Sequence, residues 1–470
     1  MALTKVHNRM IQDAAANVVD FGADPTGATD STIAVQAAMD ASDLVYIPNG
    51  TFIVDGLVTT QANSIFGVGV LKLEANASSD YVLNLANDSC SVDGIVIDGN
   101  RSGHSTYAGR GEGLRITSNY SVITNVTSQN QPIGNFANSF YIDTSASYTI
   151  IENCRSFNAG YSGCRNRGNF TTIKSFVGIN WEQKGINCDA SADSFIVDGA
   201  YLTSTSANSG MDNLLVDAGV GKEVKYFYAK NVYAVGPENA IDGNCTKVAY
   251  STNSFYENCV FTHTNAAIDT LRVQAYANYS VTLKNSTFSR TINYDQNVSS
   301  LLYMENCVVG LDGGAAVTHC VDDNIVDRVI IKGCTFRNFT AGAIKLEDAA
   351  QYVSVDDTDF IAHGTATSAT IFTTDSAPEA GKIFITNISR SGGTFDTDPY
   401  TGTSSRDARI MFGGTEFRRT FLGISPPASG DWLAGDIFYD KTPSASGKIG
   451  WVCTVSGTPG TWKAFGAIDA

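Results

Sequence analysis

Between residues 90 and 360 the chain repeats one short pattern: an apolar residue, a polar one, then Asn, Gly or Asp, then a small residue. It reads VDGIVI from Val92, ITNVTS from Ile123, IENCRSF from Ile151, a weaker TIKSFV from Thr172, and VDGAYL from Val197. It returns as AKNVYA from Ala229, YENCVF from Tyr256, LKNSTF from Leu283, MENCVV from Met304, IKGCTF from Ile331 and VDDTDF from Val355. The key positions are 94, 125, 153, 174, 199, 231, 258, 285, 306, 333 and 357, spaced 21 to 32 residues apart. A repeat of that period with strand-like alternation inside each copy predicts a β-solenoid. The amphipathic stretches that helical repeats require are missing between copies. With strands stacked ~4.8 Å apart, eleven rungs predict a rod roughly 50 Å long.

The open end of a solenoid exposes strand edges unless something covers it. The segment IAVQAAMDAS predicts a helix that does so, capped by Asp30 or Ser31 and carrying Ile33, Ala34, Ala37 and Ala38 at helical spacing. Four cysteines, Cys154, Cys259, Cys307 and Cys334, occupy one equivalent position of the repeat, which reads as a stacked column of small buried residues. The ten cysteines form no CxxC or CxxH pair, so neither zinc nor a disulfide framework is expected. With 31 basic against 47 acidic residues the net charge is −16, which disfavours nucleic acid and anionic membrane surfaces as partners. No stretch approaches the length of an apolar membrane span, and the first residues lack a signal-peptide core. A product made in the cytoplasm is the expectation.

The segments NVVDFGADPTGATDSTIAVQAAMD (17–40), VYIPNGTFIV (45–54) and FGVGV (66–70) resemble the opening of pectate-lyase-like right-handed β-helix proteins. MALTKVHNRMI before them resembles bacteriophage tail spikes and tail fibres, and residues 430–468 resemble a module at the ends of phage tail proteins. The resemblance implies an all-β, right-handed parallel β-helix and a homotrimeric tailspike on the virion tail. Its implied partners are a bacterial surface polysaccharide (capsule, O-antigen or exopolysaccharide), a second and third copy of itself, and a phage tail or baseplate protein. It carries over no catalytic residue, because the Asn-Thr-Asp, Gly-His-Gly and Arg-Ile-Lys phrases of the superfamily's enzymes are not found. Fold alone does not set the chemistry.

The chemistry is sought in a second strand series: LRIT (114–117), FYID (140–143), CRNR (164–167), INCD (186–189), LLVD (214–217), IDGN (241–244), IDTL (268–271) and IKLE (344–347). Alternation turns the second and fourth residues outward. One outward column then reads Arg115, Tyr141, Arg165, Asn187, Leu215, Asp242 and Asp269; the other reads Thr117, Asp143, Arg167, Asp189, Asp217, Asn244 and Leu271. Asp189 and Asp217 are expected ~5 Å apart and Asp217 and Asp242 roughly 8 Å apart. The two separations suit retaining and inverting glycoside hydrolysis respectively. Asp189, Asp217 and Asp242 are therefore the candidate catalytic carboxylates. Tyr141, Asp143, Arg165, Arg167, Trp181, Glu182 and Asp269 are the candidate substrate-binding residues, with Trp181 and Tyr141 available to stack on a pyranose. A surface ion-pair ladder or a bound calcium would also explain the same charges. Elimination by a Lys184 or Tyr141 base also stays open. No cofactor is called for.

All Asn residues precede residue 388, whereas three of four Trp and four of ten Pro follow residue 425. The expected organisation is a virion-attachment segment (1–16), the opening with its capping helix (17–70), rungs (71–390), terminal rungs and linker (391–420), and a β-rich trimerisation or glycan-binding module (421–470). Trp432, Trp451 and Trp462 belong either to its core or to a sugar platform. The function expected is depolymerisation of a bacterial surface polysaccharide by hydrolysis, with a lyase, a non-cleaving adhesin and a purely structural tail protein as alternatives.

Overall fold

The structure is a computed structural model that describes residues 14–104, 111–133, 136–205, 212–236, 245–263, 269–274, 279–295, 298–311, 316–323, 326–346, 352–367, 369–374, 382–394, 400–402, 409–411, 420–428 and 432–469. The chain forms two compact units, residues 1–296 with 307–311, and residues 297–306 with 312–470.

In the first unit short strands stack in parallel and in register, each pairing with the strand one coil further along. Val122–Thr124 pairs with Ile150–Glu152, Thr127–Gln129 with Arg155–Ala159, and Phe140–Ile142 with Ser162–Asn166. This is the parallel β-helix that the repeat predicts. Its interior is built by equivalent residues lying over one another. Val92, Ile123, Ile151, Ile173, Val197, Ala229, Tyr256 and Leu283 follow each other rung by rung, all buried.

The key position of each repeat is a corner with left-handed backbone. Gly94 (φ 78°), Asn125 (56°), Asn153 (53°), Gly199 (76°), Asn231 (53°), Asn258 (52°) and Asn285 (48°) all adopt it. Glycine does so without steric cost, and asparagine at less cost than other residues. The corner amides of Gly94, Asn125 and Asn153 donate to carbonyls of the following rung, those of Thr124, Glu152 and Lys174. In the weak copy the corner is Ser175 (φ 49°), so the expected position 174 is corrected by one residue. Lys174 instead pairs with Glu152 on the strand before the corner.

The residues just before these corners form a column that reads Glu152, Lys174, Asp198, Lys230, Glu257, Lys284. Signs alternate at every step. Like charges facing each other one rung apart are destabilising, so the alternation favours this register over a slip of one rung.

The helix Thr32–Ala41 covers the first strands as expected, but by another face. Val35, Ala38 and Met39 are buried while Ile33 is 82% exposed. Ser31 is the N-cap, without a side-chain cap bond, and the Thr32 amide donates to Asp30 Oδ1 at 2.8 Å. The Gln36 side-chain amide bonds both the N–H and the C=O of Val58 (3.0 and 2.8 Å), which gives that strand the partner its edge lacks.

In the second unit the same corner recurs at Asn306, Gly333, Asp357 and Asn387. The last belongs to ITNISR from Ile385, a copy that the repeat pattern did not include. Glu305, Lys332 and Asp356 repeat the sign alternation. A separate sheet joins Thr420–Gly423 in parallel to Ile437–Asp440, which runs antiparallel to Lys448–Val455 and through it to Thr461–Ala467. Here Trp432 meets Phe438 and Trp462 edge to face, with Trp432–Trp462 centroids 5.1 Å apart. Trp432 and Trp451 are buried. Trp432 and Trp451 therefore lie in the module's own core, with the half-buried Trp462 packed against it.

Lys230→Glu places three carboxylates in line with Asp198 and Glu257. It is expected to cost about 1 kcal/mol of stability in urea unfolding at low salt, and less at high salt, because the column is partly exposed. Lys230→Arg is expected to be silent.

Candidate functional site

The first five pieces of the second strand series align as expected. Leu114, Phe140, Cys164, Ile186 and Leu214 follow each other, as do Arg115, Tyr141, Arg165, Asn187 and Leu215. Beyond them the register differs. Leu214–Asp217 pairs with Thr246–Ala249, and that strand pairs with Leu271–Gln274. TKVA and LRVQ are thus the true rungs, in place of IDGN and IDTL. Asp242 lies outside the described residues. Asp269 leaves the column: it precedes the strand and accepts a hydrogen bond from Asn293 Nδ2 at 2.8 Å.

The column through Arg115, Tyr141 and Arg165 points away from the core but is not open to solvent. Tyr141 is 1% and Arg165 9% exposed. Aromatic rings and guanidinium groups alternate along it. The Arg115 guanidinium lies over the Tyr81 and Tyr141 rings (5.9 and 5.6 Å), and that of Arg165 lies over Tyr141, Tyr161 and Phe136 (5.9, 5.6 and 4.6 Å). Such contacts are each worth about 0.5–2 kcal/mol and keep the cations in place. The Tyr141 ring faces are occupied by arginines, and Trp181 is 1% exposed. Neither can stack on a pyranose in this arrangement, which corrects that expectation.

The next column stands at the ends of these strands, where side chains are partly open. Asp189 lies between two arginines: Arg165 donates from Nε (2.9 Å) and Nη2 to Oδ2, and Arg167 Nε is 3.3 Å from Oδ1. Arg167 also donates from Nη1 to the Tyr141 hydroxyl (3.4 Å), which in turn donates to Asp143 Oδ2 (3.2 Å). Arg115 completes the chain, with Nη2 3.5 Å from Asp143 Oδ2 and Nε 3.8 Å from Oε2 of the fully buried Glu112. One rung past Asp189, Asp217 accepts the Gly219 amide (3.1 Å) and faces Lys247 Nζ at 3.6 Å. Lys184 and Asp212 pair at 2.6 Å. Glu182 sits apart, 3.3 Å from Arg101, whose other nitrogens donate to the Gln131 and Asn158 carbonyls.

Each carboxylate of the column therefore meets a cation, and the ion-pair ladder that the sequence left open describes the arrangement. Among the described residues no three His, Cys, Asp or Glu side chains gather as a metal site requires. Burial alone would push the Asp143 carboxyl up. The Ser145 amide, the Tyr141 and Thr144 hydroxyls and the Arg115 charge together hold it below the usual range. It is a charge partner, not a general acid. Burial raises the thiols of Cys154 and Cys259 to about 12, which makes them inert packing residues.

Sequence reasoning missed Tyr81, Glu112, Phe136, Tyr161 and Lys247. Lys247 was masked by the misplaced IDGN rung. The others flank the column from loops or from strand starts, where no alternation points to them.

A parallel β-helix of this kind defines the class: the chain carries a pectate-lyase-like fold. The rhamnogalacturonase A/epimerase, pectate lyase-like family model matches residues 15–198. Among solved structures, the chain is similar to the catalytic unit of a thermostable GH87 α-1,3-glucanase from Streptomyces thermodiastaticus (14% identity, TM-score 0.50, covering 83% of this chain and 71% of that one). It is also similar to the A-module of the mannuronan C-5 epimerase AlgE6 from Azotobacter vinelandii (12%, 0.49, 83% and 100%). A third similar structure is the N-terminal fragment of bacteriophage phi29 gene product 12 (11%, 0.44, 83% and 94%). No curated protein sequence matches the chain.

Because the Asp143 pKa is lowered on folding, its contribution to stability is present above the unfolded value near ~4 and is lost as pH falls through the folded value. Asp143→Asn is expected to unfold more easily than the wild type at pH 7. The difference should shrink in acid until the two unfolding curves meet.

Proposed function

We propose that this chain is a tailspike-type protein of a bacteriophage that binds and depolymerises a bacterial surface polysaccharide by hydrolysing glycosidic bonds. The observation that carries the reading is the row Asp143, Arg167, Asp189 and Asp217, partly open to solvent at consecutive strand ends on the outside of a β-helix. The GH87 α-1,3-glucanase, which has this fold, supports a glycan as the substrate class. The phage assignment, the virion-tail location and the homotrimer rest on the sequence resemblance of residues 1–11 and 430–468.

In this reading Asp189, held between Arg165 and Arg167, is the nucleophile that attacks the anomeric carbon as the glycosidic bond breaks. Asp217, one rung away, gives a proton to the leaving oxygen; its carboxylate, balanced by Lys247, then takes a proton from the water that releases the glycosyl group from Asp189. The strands before them pair Cys188 with Val216, so the backbones of the two residues stand about one strand spacing apart, ~5 Å, which is compatible with a retaining mechanism. A second reading has its own support. Full pairing of the carboxylates with cations favours an adhesin that holds the glycan without cutting it.

A digest of purified host surface polysaccharide separates the readings. The wild type is expected to release reducing ends with no rise in ultraviolet absorbance, and Asp217→Asn to fold normally yet lose at least ~10²-fold in rate. Rising absorbance marks an elimination and overturns hydrolysis. Tight binding with no release makes the row an adhesive surface.

A further inference from the structure

At the corner that follows the charged row, three consecutive rungs carry aromatic residues. Hydrogen bonding sets the equivalence: the amides of Ser89, Tyr120 and Tyr148 donate to the carbonyls of Asn119, Ser147 and Asn169, each just before the next corner residue. The corner column therefore reads Ser89, Tyr120, Tyr148, Phe170. The three rings form a flat stack, with centroids 5.1 and 4.8 Å apart and planes tilted by 4° at each step.

This stack is exposed where aromatics are usually buried: Tyr120 is 56%, Tyr148 47% and Phe170 39% open. All three also have left-handed backbone (φ 57°, 60° and 51°), a conformation that costs a bulky residue about 1–2 kcal/mol. At the corner on the other side of the same strands the chain uses Asn125 and Asn153, which accept that backbone more readily. Stacking offsets part of the cost for Tyr148, which has a ring on both sides. Tyr120 has one on a single side, because the preceding rung supplies Ser89. Among the described residues, its other face has no aromatic cover.

We propose that Tyr120, Tyr148 and Phe170 form a carbohydrate-binding strip, with the open face of Tyr120 stacking on one sugar ring of the polysaccharide. The inference rests on the glycan reading above and names a contact surface for it. A sugar ring offers the flat face of C–H groups that an aromatic face takes, while the tyrosine hydroxyls and the neighbouring Asn119 and Asp88 suit its hydroxyls. The strip continues the charged row: Asp143 lies five residues before Tyr148 and Arg167 three before Phe170. A protein partner fits less well. Three half-exposed rings offer at most a few hundred Å², whereas a stable protein interface takes about 800 Å² from each side.

The test uses the full chain on an array of purified bacterial capsular polysaccharides and O-antigens, followed by calorimetric titration of the strongest responder. Tyr120→Asn is the variant of choice, since asparagine accepts the backbone and the unfolding midpoint should hold. Tyr120→Asn is expected to bind about tenfold more weakly, and Tyr120→Phe, which keeps the ring, to bind as the wild type does. Unchanged affinity and cleavage in Tyr120→Asn overturn the strip and leave the depolymerase reading standing. Equal losses in Tyr120→Asn and Tyr120→Phe overturn stacking in favour of the hydroxyl. A wild type that binds no glycan on the array overturns both readings.

Discussion

Every coil of this protein hangs on the next by parallel backbone hydrogen bonds, so each side chain sits about one strand spacing from its counterpart. That single constraint governs the residue columns. Inside, it requires apolar residues of compatible volume, and the column from Val92 to Leu283 supplies them. At the corner of the repeat it requires a left-handed residue on each rung, and the chain answers with Asn and Gly, with Ser175 and Asp357 as exceptions. Outside, it disfavours stacks of like charge: the column from Glu152 to Lys284 alternates in sign, and where Asp189 and Asp217 stand on adjacent rungs each is paired with a cation.

The candidate site obeys the same rule in a more concentrated form. Arginines, aromatic rings and carboxylates stand on neighbouring rungs, so Arg115 and Arg165 each find both a ring face and a counter-ion. Arg165 shows the consequence most fully: it is enclosed by three rings and bonded to Asp189. Such a network is rigid, since removing one partner strands a partly buried charge at a cost of several kcal/mol. A polymer drawn along the rungs would meet a fixed pattern of charges and, one corner further on, an unusually exposed stack of rings.

Much of this was legible beforehand, for physical reasons that also explain the failures. The corner residues and inward positions recur because backbone geometry selects them, so the repeat and the rungs from Leu114 to Asp217 were readable. The register slipped where an insertion interrupts the coil: IDGN matched the apolar alternation, yet Thr246–Ala249 makes the hydrogen bonds. The capping helix was recognised by its composition, but its buried face was misassigned because Ile33 looks like a core residue and is not covered. Strand alternation alone puts Tyr141 outside, and that rule does not see Phe136 and Tyr161, which close over the same column around Arg165.

By itself, the sequence determined the β-helix, its corner residues and the strand ends on which the charges stand, because these follow from local backbone preference repeated at a constant period. Only the tertiary structure decided which charges pair, that Tyr141 and Arg165 are enclosed, and that Tyr120, Tyr148 and Phe170 form one exposed stack. Those features depend on how far apart rungs are inserted in the chain and on which loops cover them, and neither is written in the repeat.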